Sequence, residues 1–412
     1  MEYGLIGESL SHSYSKIIHE KFGMYKYNLH SVSLHELENI LKLRKFKALN
    51  VTIPYKKTVM LFCDELDNTA KSIGSVNTLI VSESNRLTGY NTDYFGLKYT
   101  IDRSGISLKN KKVLILGDGG TSVTAQALAN DLQAKEVLII SIIGDLNYKT
   151  VYEHSNANII INTTPVGMYP NNGEKLIDIS KFKNLSGLID VIYNPFYTSL
   201  LLEARKCQIP VAGGLPMLVA QAKASAELFK NIKLDNSLIE KIIKELVIEL
   251  SNIVFIGMPG SGKTTIGKII SEKLGKKFVD IDSEIEKSCQ MTIPEIFKNQ
   301  GEEEFRKTEC KILEDFGKMN NLSLSTGGGV VLNENNCSKL KQNGRIYLLK
   351  RDLEALETEG RPLSKSFDEL QKMYQIRKPL YESFSDKIID NNSSMNRTVN
   401  SILEDFYENT CY

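Results

Sequence analysis

Two stretches decide the fold: Val113-Leu114-Ile115-Leu116-Gly117-Asp118-Gly119-Gly120 and Ile253-Val254-Phe255-Ile256-Gly257-Met258-Pro259-Gly260-Ser261-Gly262-Lys263-Thr264. Each is a short apolar run that opens through glycines into a helical pattern. The run itself reads as a buried strand. Glycines between a strand and a helix leave backbone N–H groups free. They also aim the positive end of the helix dipole at whatever binds there. That is a phosphate cradle. Two cradles this far apart imply two nucleotide sites and two catalytic units.

Elsewhere, apolar runs at 3–6, 48–53, 137–140, 159–162, 187–191 and 346–349 alternate with helical patterns, so the whole chain is expected to be α/β. Residues 236–250 carry Leu238, Ile239, Ile242, Ile243, Leu246 and Val247 on one helical face, a helix expected to close the first unit. The next strand starts at about Asn252 without a Gly/Ser or Pro-rich linker, so the junction is tight.

A chain of 412 residues has room for two or three domains. Its 51 Lys+Arg against 50 Asp+Glu leave a net charge of +1. That argues against a protein built to coat nucleic acid or an anionic membrane, but not against local basic pockets. No apolar run reaches the ~18 residues that a membrane-spanning helix needs. The start, Met1-Glu2-Tyr3-Gly4-Leu5-Ile6-Gly7, lacks a basic segment ahead of a long apolar one and reads as a first strand rather than a signal peptide. The 6 cysteines form no C-x-x-C pair, so reduced thiols in a cytoplasm are expected. The 5 histidines end at His154, so nothing beyond it can use a His base or a His-ligated zinc.

The segment from Gly257 to Thr264 fits G-x-x-x-x-G-K-[ST] at every fixed position. Gly260, Ser261 and Gly262 would wrap phosphates, Lys263 would reach the β/γ-phosphates, and Thr264, followed by Thr265, would place a hydroxyl on Mg²⁺. The bland alternative is a glycine-rich turn with a surface lysine. Next, Phe278-Val279-Asp280-Ile281-Asp282 reads as a strand end with two carboxylates on one face. One could hold the metal and the other an acceptor hydroxyl, although Asp-x-Asp is also a common helix cap. Then come Gly301-Glu302-Glu303-Glu304-Phe305-Arg306-Lys307-Thr308-Glu309, Ser325-Thr326-Gly327-Gly328-Gly329-Val330, Glu359-Gly360-Arg361-Pro362-Leu363 and Ile376-Arg377-Lys378-Pro379-Leu380-Tyr381.

In this order the motifs resemble shikimate kinase over essentially all of 251–412. The resemblance implies a P-loop kinase domain, α/β/α with a parallel sheet and a lid, using ATP and Mg²⁺. It implies that Asp280 joins Thr264 at the metal and that Asp282 takes the reacting hydroxyl of shikimate. Arg306 and Arg377 would clamp the shikimate carboxylate, and Gly328 would offer a backbone N–H. Lys263 and Arg361, the latter on the lid, would stabilise the transferring phosphoryl group. Paired guanidinium groups are a strong way to fix a carboxylate. One departure stands out: 352–359 is acidic and lacks the arginine that many members carry early in the lid, which implies weaker lid closure or nucleotide affinity.

The first cradle, Gly117-Asp118-Gly119-Gly120-Thr121-Ser122, is G-x-G-G-x-S, with Ser122 where a third glycine would stand. Alone it is a weak dinucleotide signal. It begins only at Val113, so another domain precedes it. That leading part holds Ser11-His12-Ser13-Tyr14-Ser15-Lys16, Asn50-Val51-Thr52-Ile53-Pro54-Tyr55-Lys56-Lys57, Gly74-Ser75-Val76-Asn77-Thr78-Leu79 and Gly89-Tyr90-Asn91-Thr92-Asp93. After the cradle come Ile161-Asn162-Thr163-Thr164-Pro165-Val166-Gly167-Met168, Asp190-Val191-Ile192-Tyr193-Asn194-Pro195 and Gly214-Leu215-Pro216-Met217-Leu218-Val219-Ala220-Gln221-Ala222. Any one serine here could be a helix cap, and any one lysine a surface charge.

Together they resemble shikimate dehydrogenase over about residues 1–248. The resemblance implies an α/β substrate-binding domain over 1–104, completed by 214–250, and a Rossmann dinucleotide-binding domain over 105–213. Ser13, Ser15, Thr52, Asn77, Asp93 and Gln221 would line the shikimate pocket, with Tyr193 near it. Lys56 and Asp93 would be the catalytic pair. Gly117, Gly119, Gly120, Thr121, Gly214 and Met217 would bind the nucleotide. The chemistry agrees: reducing a ketone needs a hydride at carbon and a proton at oxygen, and a Lys beside an Asp can supply the proton. His12 and His19 are then structural. The family usually uses NADP(H), read by basic residues after the second Rossmann strand and in the glycine loop. Here that strand runs into Ser141-Ile142-Ile143-Gly144-Asp145, Val123 stands where a loop arginine often lies, and no basic residue follows before Lys149. NADP(H) is expected, with NAD left open.

The expectation is therefore a fusion of two consecutive enzymes. The first reduces 3-dehydroshikimate to shikimate, and the second phosphorylates shikimate. The partners are these small molecules, without nucleic acid or membrane, and a homodimer is compatible with the resemblance. Three alternatives stay open: a first unit acting on quinate, a second unit that is another small-molecule kinase such as one for gluconate, and a half that only senses its ligand.

Overall fold

The computed structural model describes residues 2–10, 13–356 and 367–410. The first sheet holds β1 (Tyr3–Gly7), β2 (Asn28–Ser31), β3 (Ala48–Val51), β4 (Glu65–Leu66), β5 (Thr78–Val81) and β6 (Leu87–Tyr90), in the order β2-β1-β3-β5-β6-β4. β1 runs parallel to β2 and β3, and β5 runs antiparallel to β3 and β6. Ile6, Leu49, Val51, Leu79 and Leu87 form its core with Leu37 and Leu41 of the helix Leu34–Leu43. Ser33 and Glu36 close a capping box at the start of that helix, satisfying two of its free backbone donors. The strand expected over 48–53 stops at Val51, so Thr52 and Lys56 lie beyond it in a turn.

The second sheet is all parallel: β7 (Lys112–Leu116), β8 (Glu136–Ile140), β9 (Ile159–Asn162), β10 (Gly187–Asp190) and β11 (Val211–Ala212), in the order β11-β10-β9-β7-β8. Its central strands are buried on both faces, which is why they read as unbroken aliphatic runs. The helices Asp93–Ser104 and Leu215–Lys230 pack against each other at Gly96. A Cβ there would stand 2.6 Å from the Met217 carbonyl oxygen and 3.0 Å from Gln221 Cβ. The missing side chain lets the two backbones close, bringing Gln221 beside the start of the other helix.

The third sheet, also all parallel, holds β12 (Asn252–Ile256), β13 (Lys277–Asp280), β14 (Leu322–Ser325), β15 (Gly344–Lys350) and β16 (Lys387–Asp390), in the order β13-β14-β12-β15-β16. The helix Lys263–Leu274 follows the second cradle. The segment Ile293–Gly317 breaks at Gly301, whose φ of 83° favours glycine. The break re-aims the part that carries Arg306 and Glu309.

The chain divides into two units, Met1–Lys244 and Glu245–Tyr412. The boundary falls inside the helix Ser237–Leu250, a few residues before the expected one. Within the second unit, buried Lys276 donates to the carbonyls of Ile248 (2.9 Å), Glu249 (3.3 Å) and Ser251 (2.8 Å) and to Asn321 Oδ1 (3.2 Å). The last turn of that helix is therefore capped by an ammonium group, as its dipole favours. Cys63, Cys207, Cys289 and Cys310 carry free thiols. Among the described residues no helix is long and apolar enough to cross a membrane.

Candidate active sites

In the first unit the turn after β3 presents Lys56, and the helix Asp93–Ser104 presents Asp93 from its first position. Lys56 Nζ lies 2.6 Å from Asp93 Oδ2, with both side chains mostly buried. Asp93 Oδ1 accepts from Asn77 Nδ2 at 2.9 Å. Both carboxylate oxygens are thus held by donors, which fixes the Lys56 head. Lys56 Nζ also donates to Thr121 Oγ1 at 3.3 Å. The pair faces a cavity of about 580 Å³ that Ser13, Ser15, Thr52, Asn77, Tyr193 and Gln221 also line. Ser13 Oγ accepts from the Ser15 backbone N–H at 3.3 Å. The half-buried Tyr193 ring lies 5.2 Å from Tyr14, and burial pushes its phenol up against the pull of Ser13. His19 is fully buried, held by Tyr25 at 2.8 Å and stacked on Tyr27, away from this cavity.

The glycine-loop residues divide by role. Gly117 has a φ of 101°. Gly119 caps the helix Gly120–Asp131, and a Cβ there would meet nothing within 4 Å. The open face above this helix N-terminus fits an anionic pyrophosphate. Gly120 is small for another reason: a Cβ would stand 3.0 Å from Lys56 Cβ and 3.1 Å from Ser75 Oγ. Gly214 gives backbone room to Val191 and lines the cavity with Met217. After β8, Ile142 and Ile143 stand 85% and 86% exposed.

In the second unit a cavity of about 400 Å³ is lined by Gly260, Lys263, Thr264, Asp280, Asp282, Arg306, Gly328 and Arg377. Ser261 and Gly262 complete the loop, Gly260 and Gly262 having φ of 80° and 93°. Thr265 follows, exposed, in the first helical turn. Lys263 Nζ donates to the carbonyls of Gly257 (3.1 Å) and Met258 (2.9 Å). Thr264 Oγ1 donates to Asp280 Oδ2 at 2.8 Å. A hydroxyl beside one carboxylate suits Mg²⁺, which takes few protein ligands and completes its shell with phosphates and water.

The reading of Asp280 and Asp282 as a strand-end pair is corrected. The strand ends at Asp280, which caps the helix Ile281–Cys289 by accepting from the Ser283 N–H at 3.3 Å, while Asp282 sits in that helix's first turn. Ile281 turns inward to the core, so the helix begins one residue earlier than a strand would need. Both carboxylates still face the cavity. Asp282 Oδ1 is buried without a hydrogen-bond partner. Burial and the Asp280 charge push its carboxyl up to about 6, against Lys263 and Arg306. Arg377 donates to the Gly328 carbonyl at 2.9 Å, as does the Tyr381 hydroxyl. Arg361 lies outside the described residues.

Sequence reasoning missed several partners. Glu309, buried, holds Arg306 at 2.8 Å, and Glu302 holds it at 3.1 Å. Their i+3 and i−4 spacing on one helix was the available signal. Thr92, Thr78, Asn50 and Ser225 surround Asn77. Thr92 adjoins Asp93, but nothing local marks Asn50 or Ser225 as its neighbours.

The comparisons agree with both halves. The family model for the shikimate dehydrogenase substrate binding domain matches residues 5–79, and that for shikimate kinase matches 259–407. A shikimate dehydrogenase (NADP(+)) of Clostridium beijerinckii is 38% identical over 57% of this chain and 94% of its own length. Among solved structures, shikimate dehydrogenase 1 from Peptoclostridium difficile is 36% identical with a TM-score of 0.56, over 60% of this chain and 98% of its own. Shikimate 5-dehydrogenase from Thermus thermophilus, solved with NADP(H) and shikimate, is 27% identical with a TM-score of 0.53, over 58% of this chain and 97% of its own.

Proposed function

Because this chain belongs to the shikimate dehydrogenase family and continues into a shikimate kinase domain, we propose that its two units catalyse consecutive steps on one molecule. The first unit converts 3-dehydroshikimate to shikimate with NADP(H). The second transfers a phosphoryl group from Mg·ATP to the hydroxyl that the first has made. Residues 1–104 with 214–250 bind the acid in this reading, 105–213 bind the dinucleotide, and 251–412 form the kinase. The supporting observation is the convergence, in one cavity, of the 2.6 Å Lys56–Asp93 pair with Ser13, Ser15, Thr52, Asn77 and Gln221.

The nicotinamide supplies or accepts the hydride. Lys56 Nζ donates a proton to the carbonyl oxygen as the hydride arrives, and Asp93 holds the ammonium in line. Ser13, Ser15, Thr52 and Gln221 fix the hydroxyls and carboxylate of the acid, and the open N-terminus at Gly119 would hold the pyrophosphate of the dinucleotide. In the second unit Thr264 and Asp280 would hold Mg²⁺, which neutralises phosphate charge. Asp282 accepts the proton of the attacking hydroxyl, while Arg306 and Arg377 orient the shikimate carboxylate. Lys263 draws the transferring phosphoryl charge, joined by Arg361.

A steady-state assay with shikimate tests both halves: nucleotide reduction and ADP formation are expected, and the absence of both would sink the reading. A second cofactor reading has its own observation. The loop after β8 offers exposed Ile142 and Ile143, and no cation before Lys149, to a 2′-phosphate. The kcat/KM values with NADP and NAD, measured side by side, decide the preference.

A further inference from the structure

Behind Asp93 lies a closed polar cluster that the roles above leave unused. Three buried hydroxyls meet there: Thr78 on β5, Thr92 just before Asp93, and Ser225 on the helix Leu215–Lys230. Ser225 Oγ lies 2.9 Å from Thr92 Oγ1 and 3.0 Å from Thr78 Oγ1. Asn50 Nδ2 donates to Ser225 Oγ at 2.8 Å, while the Tyr27 hydroxyl donates to Asn50 Oδ1 at 2.6 Å. The direction at Asn50 is fixed. With its carbonyl taken by Tyr27, Asn50 turns its amide N–H groups onto the hydroxyls.

The cluster meets both ends of the Asn77 amide, whose Nδ2 donates to Thr92 Oγ1 at 2.9 Å. Asn77 Oδ1 accepts from the Thr92 backbone N–H at 2.8 Å and has the Thr78 and Thr92 hydroxyls at 3.0 and 3.2 Å. A flipped amide would set N–H groups against a backbone donor, so Nδ2 must face Asp93. Ser225 is the joint of this arrangement. It sits one helical turn after Gln221, whose own reach to Asn77 and Thr92 is 3.5 Å. The shorter bonds of Ser225 therefore tie the Gln221 helix to Asn50, Thr78 and Thr92.

We propose that Ser225 is a positioning residue of the dehydrogenase. It locks the Asn77 amide onto Asp93 Oδ1, which leaves Asp93 Oδ2 for Lys56. The proposal rests on Lys56 and Asp93 being the acid–base pair. Full-length Ser225→Ala and Ser225→Thr variants test it, with the kinase rate of each preparation as an internal control. Ser225→Ala is expected to lower kcat for shikimate oxidation about tenfold or more, since small misplacements of a reacting group are costly. Its KM for the nicotinamide nucleotide should stay within about twofold, and Ser225→Thr should recover most of the rate. A Ser225→Ala kcat within about twofold of the parent overturns the proposal. So does a matching rise in nucleotide KM, which would mark general loosening of the unit. If the threonine methyl crowds the site, the kcat-against-KM split of Ser225→Ala decides alone. Lys56→Ala separates the two ideas: activity there sinks the pair itself, whereas a dead Lys56→Ala beside a fully active Ser225→Ala sinks only the positioning role.

Discussion

At the scale of residues, the proposed mechanism gives the two proton transfers to Lys56 and Asp282, and each can be removed separately. Lys56→Ala should lower shikimate oxidation by about 10²–10⁴-fold, the usual worth of a general acid–base group, and leave ADP formation unchanged. Asp282→Asn should do the converse; an unchanged phosphoryl-transfer rate would remove Asp282 from the mechanism. His19 gives a prediction about stability instead. Burial pulls its imidazole down to about 3, partly offset by Asn50, and the groups facing it are Tyr25 and Tyr27 rather than charges. Between that value and the ordinary 6.5 the unfolded chain holds a proton that the fold does not. Stability therefore rises with pH across this window and is lost as pH falls through it, by up to about 1.4 kcal/mol per pH unit. His19→Phe should flatten that slope in urea melts taken from pH 7 to 4. Much of this scale was legible in the sequence. Lys56 and Asp93 were readable because each sits in a dense local motif. The Asp280–Asp282 geometry was misread because Ile281 fits a strand and a helix start equally well.

At the scale of elements, the aliphatic strands β7, β9 and β12 declared themselves because a parallel strand buried on both faces has no polar alternation to blur it. β2 and β4 did not: the first is largely exposed and the second is two residues long. The β5–β6 hairpin was hidden by its motif, where Asn77 and Asp93 drew the functional reading. The crossing of the helices Asp93–Ser104 and Leu215–Lys230 was also invisible, since Gly96 lies in no glycine cluster. Gly96→Val should force the helices apart, costing about 1–3 kcal/mol of stability in the first unit. It should also raise the KM for shikimate by carrying Gln221 away from Asn77. An unaltered KM with lowered stability would show that the crossing supports the fold alone.

At the scale of the whole molecule, the sequence disclosed two units but set their boundary at the helix end. The two compact units divide inside that helix, after Lys244, and Lys276 from the second unit holds carbonyls of its last turn. Burial lowers that ammonium to about 8. Lys276→Met should leave those carbonyls without their donor and destabilise the second unit by about 1–3 kcal/mol. Kinase activity should then be lost at lower temperature than dehydrogenase activity in the same sample. Simultaneous loss of both would mean that the units melt as one.

The contact between Gly120 and Lys56 gives the dehydrogenase an interlock. The turn at the head of the helix Gly120–Asp131, the proposed pyrophosphate seat, is also the floor under Lys56, the proposed proton donor, and the next residue, Thr121, accepts one of its hydrogen bonds. A widening of the cleft that carried Gly120 and Thr121 away would take the Thr121 hydrogen bond from Lys56 and leave its 2.6 Å pairing with Asp93. In the proposed reaction the seat for the pyrophosphate and the lysine's contact with Thr121 would therefore be completed together, by one turn of one helix.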